Sequence, residues 1–150
     1  MLKLSKKIDY GLVLLSKMVI EREPTSAREL AGRFQLPQPM VANILKAMAN
    51  AGILDSTRGA QGGYQLARDP GEISLAVIVE ALEGPFNLVD CVGDQDGCKF
   101  TRFCPTHDPI QVMHQKFHAF MEDLTLAEIM SASNKPLTFG SNNEKAHLPG

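Results

Sequence analysis

Two short amphipathic stretches, broken at Gln35-Leu36-Pro37 and followed at once by a glycine-rich turn, leave few folds open to residues 26–66. Ser26-Ala27-Arg28-Glu29 has the form of a capping box, in which an N-cap hydroxyl and a carboxylate three residues on serve each other's free N–H groups. It opens a predicted helix over 27–34 that buries Leu30, Ala31 and Phe34. Pro39 suits the first turn of the next helix, where no N–H partner is lost. Val41, Ile44, Leu45 and Met48 then recur at i, i+3, i+4 and i+7, and Gly52 stands where a glycine just past a helix end belongs. Residues 54–58 and 64–66 read as short strands around Gly59-Ala60-Gln61-Gly62-Gly63, whose glycines supply the positive φ of a tight turn. These glycines lack the G-x-x-x-x-G-K-[ST] spacing of a phosphate loop, and no helix follows them directly. Helix-turn-helix plus β-hairpin is the winged-helix arrangement; a plain helical bundle shares the helical period but not the hairpin.

The remaining chain reads as helical. Ile8, Leu12, Leu15 and Val19 give an apolar stripe to a helix over 5–21, ended before Pro24. Asp69-Pro70-Gly71 makes a turn. Leu75, Ile78, Val79 and Leu82 mark a helix over 74–83, stopped by Gly84-Pro85. Asp108-Pro109 has the form of an N-cap and first-turn proline opening a long helix to about residue 124. There Ile110, Met113, Phe117, Phe120 and Leu124 alternate steps of three and four, and Met121 widens the stripe. With little chain left to cover it, this face predicts helix–helix dimerisation; packing onto its own domain is the alternative. Thr125-Leu126-Ala127-Glu128 is a second capping-box form, opening a turn of helix to about 130. The expected fold is mainly α with a small β-hairpin wing. Residues 1–70 would form the winged helix-turn-helix unit, 71–130 a cysteine loop with dimerisation helices, and 131–150 a Ser-, Asn- and Gly-rich flexible tail.

At 150 residues and 44% hydrophobic, the chain fits one ordinary domain, or a small domain with a helical appendage, with a real core. It has no apolar run long enough to span a membrane. The first twenty residues begin basic, but Asp9, Ser16 and Lys17 interrupt the apolar stretch, which makes a poor signal peptide. Three cysteines, an odd number, argue against a disulfide scaffold and for a reducing cytosol, so a cytoplasmic location is expected. A net charge of −2 hides a division. Residues 1–70 carry ten Lys/Arg against six Asp/Glu, and residues 71–150 carry five against eleven. A basic N-terminal half and an acidic half with a cysteine loop suggest two jobs.

All three cysteines fall in one 17-residue stretch with a histidine at its end: Cys91, Cys98, Cys104 and His107, in the pattern C-x6-C-x5-C-x2-H. Thiolates bind soft metals and iron–sulfur clusters, and imidazole suits zinc and iron. Burial as three small hydrophobes is the bland alternative, but a Gly- and Asp-containing loop offers little core. Structural zinc usually takes close pairs such as C-x2-C, absent here, although a Cys3His zinc site is chemically possible. His114 and His118, at i and i+4, form another potential zinc pair. An iron–sulfur cluster accepts wide, irregular spacing. Catalytic Cys-His chemistry wants one activated thiolate rather than three. On the second helix of the helix-turn-helix, the face opposite the apolar stripe carries Gln38, Ala42, Asn43, Lys46 and Asn50. Gln and Asn can contact adenine in the major groove, and Lys46 a guanine edge or phosphate. Arg28, Lys6, Lys7 and Arg58 are candidates for phosphate or minor-groove contacts, Arg58 foremost because a hairpin holds it.

RGAQGGYQLA in the hairpin, ISLAVIVEALEG in the next helix, the three loop cysteines with their histidine, and the long helix together resemble the IscR/NsrR family of bacterial winged-helix iron–sulfur transcription regulators. The resemblance covers about residues 1 to 130. It implies a non-enzymatic homodimer on a palindromic double-stranded operator, with no small-molecule substrate, controlling iron–sulfur assembly genes of the SUF or ISC type. Cys91, Cys98 and Cys104 match the family's cluster cysteines, and His107 matches the histidine ligand of its 2Fe–2S members. Asp9 falls where 4Fe–4S members supply an aspartate from the partner subunit. His107 lies three residues from Cys104 and needs little extra ordering, whereas a carboxylate is a poorer match to iron already bound by sulfur. The reading therefore favours a 2Fe–2S cluster, with a 4Fe–4S cluster as the alternative. Six residues separate the first two cysteines where the family usually has five, and Ala42 stands where IscR-like members often have a glutamate. A nitric-oxide or iron-responsive repressor is the alternative within the family. Outside it stand a zinc-stabilised interaction module and a small iron–sulfur redox protein.

Overall fold

The computed structural model describes residues 3–89, 92 and 103–132. The chain runs α1 (Lys6–Glu21), α2 (Ala27–Phe34), α3 (Gln38–Asn50), β1 (Leu54–Thr57), β2 (Gly63–Leu66), a 3₁₀ turn (Pro70–Glu72), α4 (Leu75–Glu83), α5 (His107–Asp123) and α6 (Leu126–Ser131). This is the expected helical fold with a hairpin wing. Cys91, Cys98 and residues 133–150 of the expected tail lie outside the described residues. No helix among the described residues is long and apolar enough to cross a membrane.

The periodicity of α3 translates directly into packing. Val41, Ile44, Leu45 and Met48 are all buried, and Gly52 follows with φ +74°. A fully buried side chain of this size contributes about 1.5–3 kcal/mol. On α1 the expected stripe is too narrow. Ile8 and Leu15 are buried, but Leu12 and Val19 are only partly so, and Leu14 and Met18 are sealed instead. The reason is enclosure: α1 packs against α3, α4 and β2, so more than one of its faces meets other elements. Phe34 and Leu75 likewise stay partly exposed, and Ala76 rather than Leu75 enters the core.

The two capping-box forms behave differently. At α6 both halves form: Thr125 N–H donates to Glu128 Oε2 at 2.9 Å, and Glu128 N–H donates to Thr125 Oγ1 at 3.3 Å. These bonds hold the Glu128 carboxyl below its ordinary range, Thr125's backbone N–H being the largest cause. At α2 only the first half forms, from Glu29 N–H to Ser26 Oγ at 3.1 Å. The Glu29 carboxylate turns instead to the Lys17 ammonium, 3.5 Å away. Asp108 is not the N-cap of α5. The helix begins at His107, and Thr106 occupies the cap without making a side-chain capping bond.

β1 and β2 pair antiparallel with Leu54 opposite Leu66 and Thr57 opposite Gly63. Thr25, just before α2, adds a third edge: its N–H donates to Tyr64 O at 3.0 Å, and Tyr64 N–H donates to Thr25 O at 2.9 Å. Both glycines of the Gly62-Gly63 pair are forced by close approach. A Cβ on Gly63 would lie 2.6 Å from the Thr25 backbone, and one on Gly62 would lie 2.3 Å from Thr57 O. Neither neighbour is a side chain that can swing away. Gly63→Ala is expected to part the wing from Thr25 and to destabilise the protein by about 1–3 kcal/mol, the usual cost of forced backbone shifts. A lowered urea midpoint measures it; an unchanged midpoint would mean that the wing is not held at Thr25.

Candidate nucleic-acid interface and metal centre

Burying Val41, Ile44, Leu45 and Met48 turns the opposite face of α3 to solvent. Gln38, Asn43, Lys46 and Asn50 are exposed there, and Ala42 is partly so. None of these polar side chains is engaged in a hydrogen bond or ion pair among the described residues. Met40 is also exposed, at 37%; its place in the first turn of α3, outside the apolar stripe, is the signal for it. Arg28 on α2 and Arg58, the first residue after β1, are exposed as well, so helix face and wing offer free donors on adjoining elements. Lys6 is exposed. Lys7 is otherwise occupied, because its ammonium donates to the carbonyl of Leu82 at 3.0 Å and covers the last turn of α4. That placement is one a helix C-terminus favours for a cation, and Lys7 is otherwise exposed.

The second candidate site begins at the N-terminus of α5. His107 N–H donates to Cys104 O at 3.3 Å, a turn that carries the chain from the cysteine into the helix. Thr106 Oγ1 lies 3.2 Å from Cys104 Sγ, which is why it does not cap α5. Hydrogen bonds from the Thr106 side chain first, then its backbone, and then the His107 backbone hold the Cys104 thiol below its ordinary pKa, against a rise from desolvation. The thiolate is the form that binds metals. His107 Nδ1 stands 3.0 Å from Asp108 Oδ1. A carboxylate only accepts, so this contact is donated by Nδ1–H, the way metal-binding histidines are oriented so that Nε2 points to the metal. Cys104 and His107 thus have the donor chemistry of two ligands, and Thr106 and Asp108 are supporting partners that the spacing of cysteines did not single out.

Cys91 and Cys98, the other two expected ligands, are outside the described residues, among which no three His, Cys, Asp or Glu side chains are grouped to hold a metal ion. Asp9 is exposed in the first turn of α1, and no hydrogen bond or ion pair joins it to Cys104 or His107. His114 and His118 do share a face, with ring centroids 6.2 Å apart. They serve the packing of α5: His114 stacks on Phe86 at 5.7 Å, and His118 faces Glu80 of α4 and Glu122, each at 3.5 Å. Of the predicted stripe on α5, Met121 is buried and Ile110 and Leu124 are partly covered. Met113, Phe117 and Phe120 remain 52%, 39% and 59% exposed. The chain's own core does not cover these three.

A family model described as Rrf2, iron-dependent transcriptional regulator, matches residues 4–132. A Synechocystis chain whose name carries the class HTH-type transcriptional regulator is 32% identical over 130 residues, covering 85% of this chain and 87% of its own. The transcriptional repressor NsrR of Streptomyces coelicolor is 27% identical over 142 residues, covering 93% and 95%. Among solved structures, T. potens IscR superposes with a TM-score of 0.66 at 27% identity, covering 88% of each chain.

The Thr106 contact makes a pH-dependent prediction for the metal-free protein. A lowered thiol pKa means that Cys104 becomes thiolate, and reacts with iodoacetamide, at a lower pH than an ordinary cysteine. Thr106→Val removes the largest of the lowering contacts while leaving the backbone ones. The alkylation profile of the Cys104 peptide, read by mass spectrometry, is expected to move to higher pH. A profile that stays put removes Thr106 from the description.

Proposed function

Because this chain belongs to the Rrf2 family of transcriptional regulators, we propose that it binds operator DNA as a homodimer whose affinity is set by an iron–sulfur cluster. Transcription regulation is the family's work; enzymatic turnover is not. The cluster would be held by Cys91, Cys98, Cys104 and His107, and bound there it would supply a redox- and ligand-labile centre. The observation that carries this reading is the Cys104–His107 turn, with Thr106 against the thiol and Asp108 against the imidazole Nδ1. A 2Fe–2S cluster is the form these donors suit best, and a 4Fe–4S cluster using Asp9 is the alternative. Target genes for iron–sulfur assembly, of the SUF or ISC type, and a cytoplasmic location follow from the same reading.

On the DNA side, α3 would enter the major groove, with Gln38, Asn43 and Lys46 at base edges or phosphates. Arg28 and Arg58 would hold phosphates to either side. Residues 1–70 then form the reading unit and 71–130 the sensing and pairing unit. Met113, Phe117 and Phe120 would be covered by the partner's α5. A cluster shifts DNA affinity only if two conformations hold it unequally, and α5 can transmit the difference because it carries His107 at one end and the pairing face along its length.

Protein purified without oxygen, assayed for iron and sulfide and by visible absorption, tests the cluster. Each of Cys91→Ala, Cys98→Ala and Cys104→Ala is expected to abolish the absorption, His107→Ala to change its shape or lability, and Asp9→Ala to leave it intact. Loss with Asp9→Ala but not His107→Ala would reverse the choice of fourth ligand, and colourless zinc-loaded protein would sink the cluster. In DNA binding, Arg58→Ala should weaken all sequences alike and reduce the log–log salt slope by about one unit. Asn43→Ala should instead relax discrimination at one base step; identical behaviour of the two would undo the assignment of α3. Phe117→Ala with Phe120→Ala removes two groups contributing about 1.5–3 kcal/mol each if fully buried. Sedimentation should then show monomer at micromolar concentration, and persistent dimers would place the interface elsewhere.

A further inference from the structure

Lys17 is the charged side chain that the fold takes inside: among the described residues it alone of the charged groups is buried, at 4% exposure, and the DNA contacts proposed above do not use it. Its ammonium donates to Thr25 Oγ1 at 3.2 Å and pairs with Glu21 at 2.9 Å and Glu29 at 3.5 Å. Both carboxylates remain in water, their side chains 36% and 59% exposed, and Glu21 has a second partner in Arg33 at 2.7 Å. Desolvating an ammonium is costly, and an apolar side chain of similar volume is often as stabilising in such a place. The four-carbon stem would satisfy the packing by itself. What an apolar side chain cannot do is hold Thr25 Oγ1. Thr25 is the residue whose backbone N–H and C=O both pair with Tyr64 of the wing. One buried charge on α1 therefore touches both α2, through Glu29, and the residue to which the wing is clipped.

We infer that Lys17 is a positioning residue for DNA binding, holding the root of the wing, through Thr25, at a set angle to α2 and α3 so that Arg58 and the α3 face meet the same duplex. The inference rests on the reading of α3 and the wing as DNA-contacting, and it adds a residue that touches no DNA. Lys17 carries no phosphate contact of its own, so its removal acts by uncoupling Arg58. The carboxylates it leaves are solvated, and the wing keeps its backbone pairs to Thr25. Stability should therefore change less than recognition does.

A double-mutant cycle tests this on a duplex selected from a random-sequence pool by the wild-type protein, with circular dichroism and urea unfolding run alongside. Lys17→Met is expected to fold, to bind about tenfold more weakly, and to make Arg58→Ala nearly silent in both affinity and salt slope. If Arg58→Ala costs the same in both backgrounds, the positioning role is overturned while the DNA reading stands. If Arg58→Ala is silent in the wild type, the wing reading fails and the inference with it. Should Lys17→Met not fold, the same cycle is run with Thr25→Val, which keeps the β-branched shape and the backbone pairing but has no hydroxyl. Coupling lost with that variant supports the role, and coupling kept overturns it.

Discussion

The paired hydrogen bonds between Thr25 and Tyr64 are the constraint on which the wing and the helices beside it depend. A hairpin with four residues in each strand is marginal by itself in water. Here it gains a third edge from a single residue ahead of α2, and it can do so because Gly63 has no Cβ to push the two backbones apart. The same residue accepts from the Lys17 ammonium, so wing, α1 and α2 converge on Thr25, which is 3% exposed. Arg58 is held relative to α3 by this pairing and by Ile53 and Leu54, which are buried where α3 passes into β1, and Ile53 N–H donates to Met48 O at 3.0 Å.

How much of this is legible in the sequence depends on the range of the interaction. The apolar face of α3, the glycine after it and the capping box of α6 are local, and each appears where residue spacing puts it. The Thr25–Tyr64 pairing joins residues far apart in the chain, and nothing at Thr25 announces a strand. The glycine pair in RGAQGG is visible as a turn signal, but its reason, close approach to Thr25 and Thr57, is not. α1 misleads because a periodic stripe assumes one buried face, whereas Leu14, Leu15 and Met18 are enclosed by several neighbours. Lys17 reads as an interruption of an apolar segment, and becomes meaningful only once Thr25, Glu21 and Glu29 are brought around it.

Two local rules fail at the start of α5, and they fail together. Asp108-Pro109 has the form of an N-cap and first-turn proline, yet the helix opens one residue earlier and Thr106 spends its hydroxyl on Cys104. Asp108 in turn faces His107. Capping residues that leave their ordinary partners for a thiol and an imidazole are what a ligand-binding terminus looks like when local stability gives way to donor orientation. The cysteine spacing draws attention to Cys104 and His107; only the geometry shows that Thr106 and Asp108 stand against them.

α5 has 17 residues, a rod of about 25 Å at 1.5 Å per residue. Its first residue is His107, and its exposed apolar residues, Met113, Phe117 and Phe120, begin less than two turns further on. The opposite side is tied down by His118 facing Glu80, by His114 stacked on Phe86, and by Met121 in the core. A rigid helix cannot shift at one end without carrying its face along, because its backbone bonds hold the turns in register. Ligation at His107 and pairing along Phe117 are therefore mechanically a single event if both occur. The seam between α5 and α4 mixes the two kinds of contact: His118 faces Glu80 of α4, and Met121 is buried in the core that also takes in Val79 and Leu82. A shift of α5 has to be accommodated along that seam, at the cost of both.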